Sequence, residues 1–197
     1  ILMKIIGLIG SPRQQGNTSH LVNTMLQQAA ALGAETKLYQ LGQLDIQPCK
    51  SCYACNTQEN CTLDDDAQSI LREIAAADAI VLGTPIYMWQ MSGQLKLLVD
   101  RMFSFLKPDF SSKLAPGKKV ALAVTQGQEA PTVFQAYFDS VGQVLDLLGF
   151  GEHRMVTAIG VYEPDDVLQQ TDTLEEARAL GVWLSQKSDK QSLHQAV

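Results

Sequence analysis

Residues 4–33 read KIIGLIGSPRQQGNTSHLVNTMLQQAAALG. The first six form a short Ile-rich run, ended by Gly10-Ser11-Pro12, which suits a strand buried on both faces. Leu21, Val22, Met25, Leu26 and Ala29 then recur at helical spacing, with Asn17 or Thr18 expected as the cap and Gly33 as the stop. A buried strand, a long polar loop and an amphipathic helix make the opening of a βα unit.

The same alternation continues along the chain. Residues 34–40 (AETKLYQ), 79–83 (AIVLG), 118–125 (KKVALAVT) and 155–162 (MVTAIGVY) read as four more strands. Helices are expected over 66–76, over 92–107 with Pro108 as the stop, from Pro131 to Gly149, and over 173–186. The acidic run Asp64, Asp65, Asp66 is expected to cap the first of these and complement its dipole. Alternation of this kind implies a parallel sheet covered by helices on both faces. The expected fold is α/β: a flavodoxin-like doubly wound sheet of five strands in the order 2-1-3-4-5.

The chain of 197 residues suits one domain over 1–197, with a cysteine-rich insertion loop at about 47–64. Hydrophobic residues make up 46% and charged residues 18%, as in ordinary globular proteins. The net charge of -6 repels phosphate backbones, which argues against a nucleic-acid partner. No run approaches the ~18 apolar residues of a membrane span. The apolar opening is broken by Lys4 and Gly7 and leads into Ser11-Pro12 without a cleavage site, so the cytoplasm is the expected compartment.

In an open parallel sheet, ligands bind beyond the carboxyl ends of the strands at the switch point. Three loops meet there. Residues 10–19 (GSPRQQGNTS) carry Gly16, the hydroxyls of Ser11 and Thr18, the cation of Arg13, and Asn17 at a helix start. Backbone N–H groups and the helix dipole make such a terminus an anion site. The spacing is neither that of a Walker loop nor GxGxxG, so a monophosphate fits better than a triphosphate or pyrophosphate. Residues 83–93 (GTPIYMWQMSG) place Pro85, Ile86, Tyr87, Met88 and Trp89 where a flat heteroaromatic ring could lie; core filling or a subunit contact would use the same residues. Thr125, Gln126 and Gly127 offer polar groups to a ring edge. A phosphate on one side and a planar ring on the other describe FMN.

All four cysteines fall in residues 49–61, CKSCYACNTQENC, spaced C-x2-C-x2-C-x5-C. Disulfides, a metal ion or an iron–sulfur cluster could each use them, and the site could also be vestigial. A bacterial ferredoxin run is C-x2-C-x2-C-x3-C-P; here the last gap is longer and Thr62 replaces the proline. Structural zinc usually pairs two CxxC units across about 12–20 residues. His20, His153 and His194 are scattered and read as structural or surface residues.

Residues 10–18 resemble the phosphate loop of NAD(P)H-dependent FMN reductases, which are flavodoxin-like. Residues 83–101 (GTPIYMWQMSGQLKLLVDR) resemble their flavin loop and following helix, including Tyr87, Ser92, Lys96, Asp100 and Arg101. The cysteine run followed by DDD resembles the compact motif of the iron–sulfur flavoproteins, a branch of that group. The resemblance implies a 4Fe–4S cluster on Cys49, Cys52, Cys55 and Cys61, phosphate held by Ser11, Arg13, Asn17 and Thr18, and a homodimer or homotetramer. It also implies an oxidoreductase taking electrons from NAD(P)H or a reduced protein donor. An electron carrier partnering ferredoxin, or a cluster-free flavin or quinone reductase, would use the same cofactor loops.

Overall fold

The structure is a computed structural model and describes residues 2–58 and 60–188. His194 and the end of the expected domain lie outside the described residues. The parallel strands are β1 (Lys4–Ile9), β2 (Glu35–Gln40), β3 (Ala79–Tyr87), β5 (Lys118–Thr125) and β6 (Phe150–Ala158), with β1, β3 and β5 the apolar ones. A short β4 (Gln90–Met91) pairs with β3 in the antiparallel sense. The sheet order is β2-β1-β3-β5-β6, the expected doubly wound order with β4 added at the side.

Strand side chains alternate between two cores. Ile6, Leu8, Ile80, Leu82, Val120 and Leu122 face α2 (Asp66–Ala76), α3 (Gly93–Arg101) and α4 (Gln135–Leu148). Ile5, Ile9, Val81, Ala121, Ala123 and Val156 face α1 (Asn17–Ala31) and α5 (Thr171–Ser185). Each large aliphatic side chain taken from water in this way stabilises the fold by about 1.5–3 kcal/mol. Gly83 is required where it stands, because a Cβ would come within 2.5 Å of Val22 Cγ2.

Several element boundaries differ from the sequence reading; α4 begins at Gln135, with Pro131 in the turn before it. The last strand begins at Phe150, not Met155, and ends at Ala158. It lies at the sheet edge, so its polar stretch Glu152–Arg154 masked the strand pattern, and Val161 and Tyr162 fall into the loop beyond it. The third strand runs on to Tyr87, where Met88 and Trp89 make a tight turn with φ of 45° and 68°. The helix expected over 92–107 ends at Arg101 and continues as a 3-10 turn, Met102–Phe105. Leu106 then bridges to Ser112, and Pro108 disfavours a helical residue before it.

The chain leaves β1 toward β2 on one side and returns to β3 on the other, which opens a crevice at their carboxyl ends. Gly10 and Ser92 tie the end of β1 to the start of α3. The Ser92 hydroxyl donates to the Gly10 carbonyl (2.6 Å), caps α3 by accepting from Leu95 N–H, and its own backbone N–H donates to Thr84 Oγ1. A Cβ on Gly10 would sit 2.6 Å from Leu95 Cβ, so only glycine allows α3 so close to β1.

Candidate functional site

The crevice holds a cavity of about 300 Å³. The loop after β1 supplies Ser11, Arg13, Asn17 and Thr18 to its wall. The end of β3 supplies Pro85, Ile86 and Tyr87, and the loop after β5 supplies Thr125, Gln126 and Gly127. These were expected to meet, and they do. Met88 and Trp89 instead line a neighbouring hollow of about 200 Å³ that shares Ile86, Gln126 and Gly127 with the first. Gly16 does not line the cavity. It is the N-cap of α1 and brings the chain back over Arg13, whose Cβ would lie 3.1 Å from a Cβ at Gly16.

The helix cap therefore differs from the expectation: neither Asn17 nor Thr18 caps α1, and Gly16 contributes no side chain to do so. The N–H groups of a helix's first turn have no intrahelical partner. At α1 they remain available to an anion, which fits the phosphate of FMN. Asn17 and Thr18 have other partners. Asn17 Nδ2 donates to the Glu163 carbonyl and its Oδ1 accepts from Val167 N–H. Thr18 and Thr125 share a hydroxyl–hydroxyl bond of 2.8 Å across the crevice. Arg13 Nη1 donates to the Tyr162 carbonyl at 2.7 Å.

The sequence reading missed Val161 and Tyr162, which complete the wall. Tyr162 donates its hydroxyl to the Gly127 carbonyl at 2.5 Å. The Tyr162 ring packs close over Gly127, where a Cβ would lie 2.6 Å from it. The Asp166 carboxylate accepts from the N–H groups of Tyr162 and Glu163, which holds its pKa below the ordinary carboxylate value. The signal for this loop was the aromatic at the end of an apolar run, which read as strand. The histidines stand apart: His20 pairs with Asp165 at 2.9 Å, and His153 lies 3.6 Å from Asp146.

A second cavity, of about 370 Å³, lies beside α3 and is walled by Cys49, Cys52, Cys55 and Cys61 together with Arg101 and Phe103. All four thiols are unlinked by disulfides. Among the described residues, no three Cys, His, Asp or Glu side chains converge closely enough to hold a metal ion. Backbone N–H of Ala54 and the Thr62 hydroxyl favour the Cys52 thiolate and lower its pKa, while burial pushes the Cys55 thiol up against the opposing pull of Lys113. Ser51 and Tyr53 hold left-handed backbone, with φ of 49° and 56°. Such conformations cost non-glycine residues and concentrate at ligand-binding turns.

The acidic run was expected to cap α2, but no side chain of it does so. Asp65 makes no side-chain cap; it forms a forked pair with Arg101 at 2.6 and 3.1 Å, and both side chains are fully buried. Burial raises the Asp65 carboxyl, but the Arg101 bonds outweigh it and leave the pKa below its ordinary value. Asp65 and Asp66 also accept from the N–H groups of Gln47 and Asp45, which fastens the start of the cysteine loop to α2. Lys113 fastens its far side, donating to the carbonyls of Cys55 (2.7 Å), Ser104 (3.0 Å) and Gln58 (3.4 Å). Of the other resembling positions, Lys96 and Asp100 form an exposed pair one helical turn apart.

A parallel doubly wound sheet with a ligand-sized crevice at its switch point defines a nucleotide- or flavin-binding α/β protein. The family model NADPH-dependent FMN reductase matches residues 3–158, and the chain belongs to that family. An iron-sulfur flavoprotein of Methanocaldococcus jannaschii is 34% identical over 183 residues, which cover 91% of this chain and 94% of that protein. It places the chain in the iron–sulfur flavoprotein branch. Among solved structures, an NAD(P)H:quinone oxidoreductase from Methanothermobacter marburgensis superposes with a TM-score of 0.75 at 17% identity, covering 92% of this chain and 98% of that one. An FMN-dependent NADH-azoreductase from Bacillus anthracis, in complex with FMN, gives 0.72 at 15%, covering 93% and 100%. These two likenesses speak for the fold alone. Membership of the family makes the chain an FMN-dependent oxidoreductase. No described helix is long and apolar enough to cross a membrane.

Proposed function

We propose that the chain takes electrons from NAD(P)H or a reduced protein donor and hands them to an acceptor, with FMN in the strand-end crevice and a 4Fe–4S cluster on Cys49, Cys52, Cys55 and Cys61. The observation that carries this reading is the ~300 Å³ cavity, whose wall gathers three separate loops at the switch point. When bound, FMN supplies exchange of two electrons with one partner and single electrons with another, and a cluster supplies one-electron relay.

The chain's own residues bind and orient. The first turn of α1, the Ser11 and Thr18 hydroxyls and the Arg13 guanidinium would receive the phosphate. Pro85, Ile86 and Tyr87 would flank the ring, and Thr125, Gln126 and Gly127 would meet its polar edge. Met88 and Trp89, 84% and 67% exposed on a strained turn, would cover it from the open side or meet a second copy in a homodimer or homotetramer. The reading of the cysteines is supported by their lining of one cavity of about 370 Å³, where thiolates could serve as ligands of a shared group. Reduced thiols suit the cytoplasm. A ferredoxin is the protein donor this reading favours.

Anaerobically purified protein is expected to show flavin absorption bands with a broad iron–sulfur shoulder. Stopped-flow mixing with NADH, NADPH and reduced ferredoxin should bleach the flavin with a nicotinamide donor. Rapid bleaching with ferredoxin only would remove NAD(P)H as the donor and make the chain a carrier. A colourless, folded protein that refuses added FMN would end both.

A further inference from the structure

Arg101 closes α3 beneath the cysteine loop and is 1% exposed, among the largest fully buried side chains of the protein. Two of its nitrogens are fixed. Nη1 donates to Asp65 Oδ2 and to the Gln47 carbonyl, and Nη2 donates to Asp65 Oδ1. Its Nε–H is buried and has no hydrogen-bond partner. The same side chain forms part of the wall of the cavity that holds the four thiols, and the Cys61 thiol lies beside its guanidinium. Buried polar groups left unpaired are rare in proteins and ask for an explanation.

We infer that Arg101 is a sulfur-facing donor. Its Nε–H is held toward the cysteine cavity to hydrogen-bond a cysteine thiolate or inorganic sulfide there, and so raises the potential at which the bound group accepts an electron. This rests on the reading of the four cysteines as cluster ligands. One-electron reduction adds one negative charge, much of it on sulfur, and N–H donors to sulfur stabilise that charge. No covalent bond forms or breaks, and Arg101 keeps its protons throughout. The guanidinium is a rigid planar fork; Nη1 is spent on Asp65 and Gln47 and Nη2 is anchored on Asp65, so the buried nitrogen left without any acceptor is Nε. A lysine keeps the charge but not the planar fork, so it can pair with Asp65 without placing a donor where Nε stands. A purely structural ion pair would need only the bonds to Asp65.

The test compares anaerobically reconstituted wild type with Arg101→Lys. Iron and acid-labile sulfide report assembly, circular dichroism and FMN content report the fold, and an EPR-monitored titration with dithionite as reductant reports the midpoint potential. The expected result is equal iron, sulfide and FMN with a potential shifted downward in the variant. Wild type labelled with 15N-arginine should show a nitrogen coupling to the reduced centre in pulsed EPR. An unchanged potential on a full cluster overturns the inference. So does a folded variant that takes up no iron, which would make Arg101 a builder of the loop. If the lysine variant does not fold, the labelled wild type decides, and absence of a coupled nitrogen overturns the inference. Wild type that takes up neither iron nor sulfide overturns the reading of the cysteines on which the inference stands.

Discussion

The two cavities are held by different means. The crevice is walled by the carboxyl ends of β1, β3 and β5, strands locked by parallel pairing over their length and buried on both faces. The cysteine cavity lies outside the sheet, on a loop with one 3-10 turn, Ala54–Asn56. That loop is tied down by side chains: Asp65 and Asp66 at one end, Lys113 at the other, and Arg101 below. Tyr53 adds an edge-on aromatic contact to Phe103, with ring centroids 5.8 Å apart. A site made by strand topology persists through most single substitutions. A site made by a few ionic bonds depends on each of them.

The strongest way to break this contrast is Arg101→Ala. It leaves the Asp65 carboxylate buried without its cation, and removing one partner of a buried pair costs about 3–5 kcal/mol. Chemical denaturation should register a loss of that size. A cost under about 1 kcal/mol would mean that the loop does not depend on the pair. Lys113→Ala sharpens the contrast from the other end. It removes bonds to three carbonyls around the loop, and a charged hydrogen bond contributes about 1.5–3 kcal/mol. Amide exchange in residues 54–58 should accelerate, while FMN affinity stays within about twofold, or ~0.4 kcal/mol. Equal loss of FMN binding would show the two cavities to be one cooperative unit.

The same contrast explains what could be read from the sequence. Strand order and the crevice were legible because buried parallel strands are continuous apolar runs, and because ligand loops sit at a fixed place in such sheets. Ser11, Arg13 and Thr18 stood out as donors ahead of a helix, and Tyr87 as an aromatic after a strand. Tyr162 was hidden because β6 is an edge strand: three of its nine residues are buried, so the apolar run 155–162 marked neither its start nor its end. Asp65 read as a cap because three acids before a helix usually serve that purpose. Its partner stands 36 residues away, and a pairing at that distance leaves no local pattern. The cysteines declared their chemistry by number and spacing, but the side chains that hold their loop did not.

The smallest expected effect concerns the loop that the sequence concealed. Asp166 binds the N–H groups of Tyr162 and Glu163, and those residues offer their carbonyls to Arg13 and Asn17. The carboxylate thus orders one wall of the crevice from behind, next to the His20–Asp165 pair. Its folded pKa lies below the unfolded value, so its contribution is present above about pH 4 and disappears as pH falls through the folded pKa. Asp166→Asn should therefore bind FMN a few-fold more weakly at pH 7, because a neutral amide oxygen replaces the charged acceptor of the two N–H groups. The difference between variant and wild type should shrink as both are acidified below about pH 4, because protonated wild type loses the same acceptor charge. Titration of the FMN phosphate is common to both proteins and cancels in that difference. Fluorescence of released flavin, followed against pH for the pair, measures it directly. A gap that widens in acid would give the opposite sign and show that the Tyr162 loop is ordered by something other than this carboxylate.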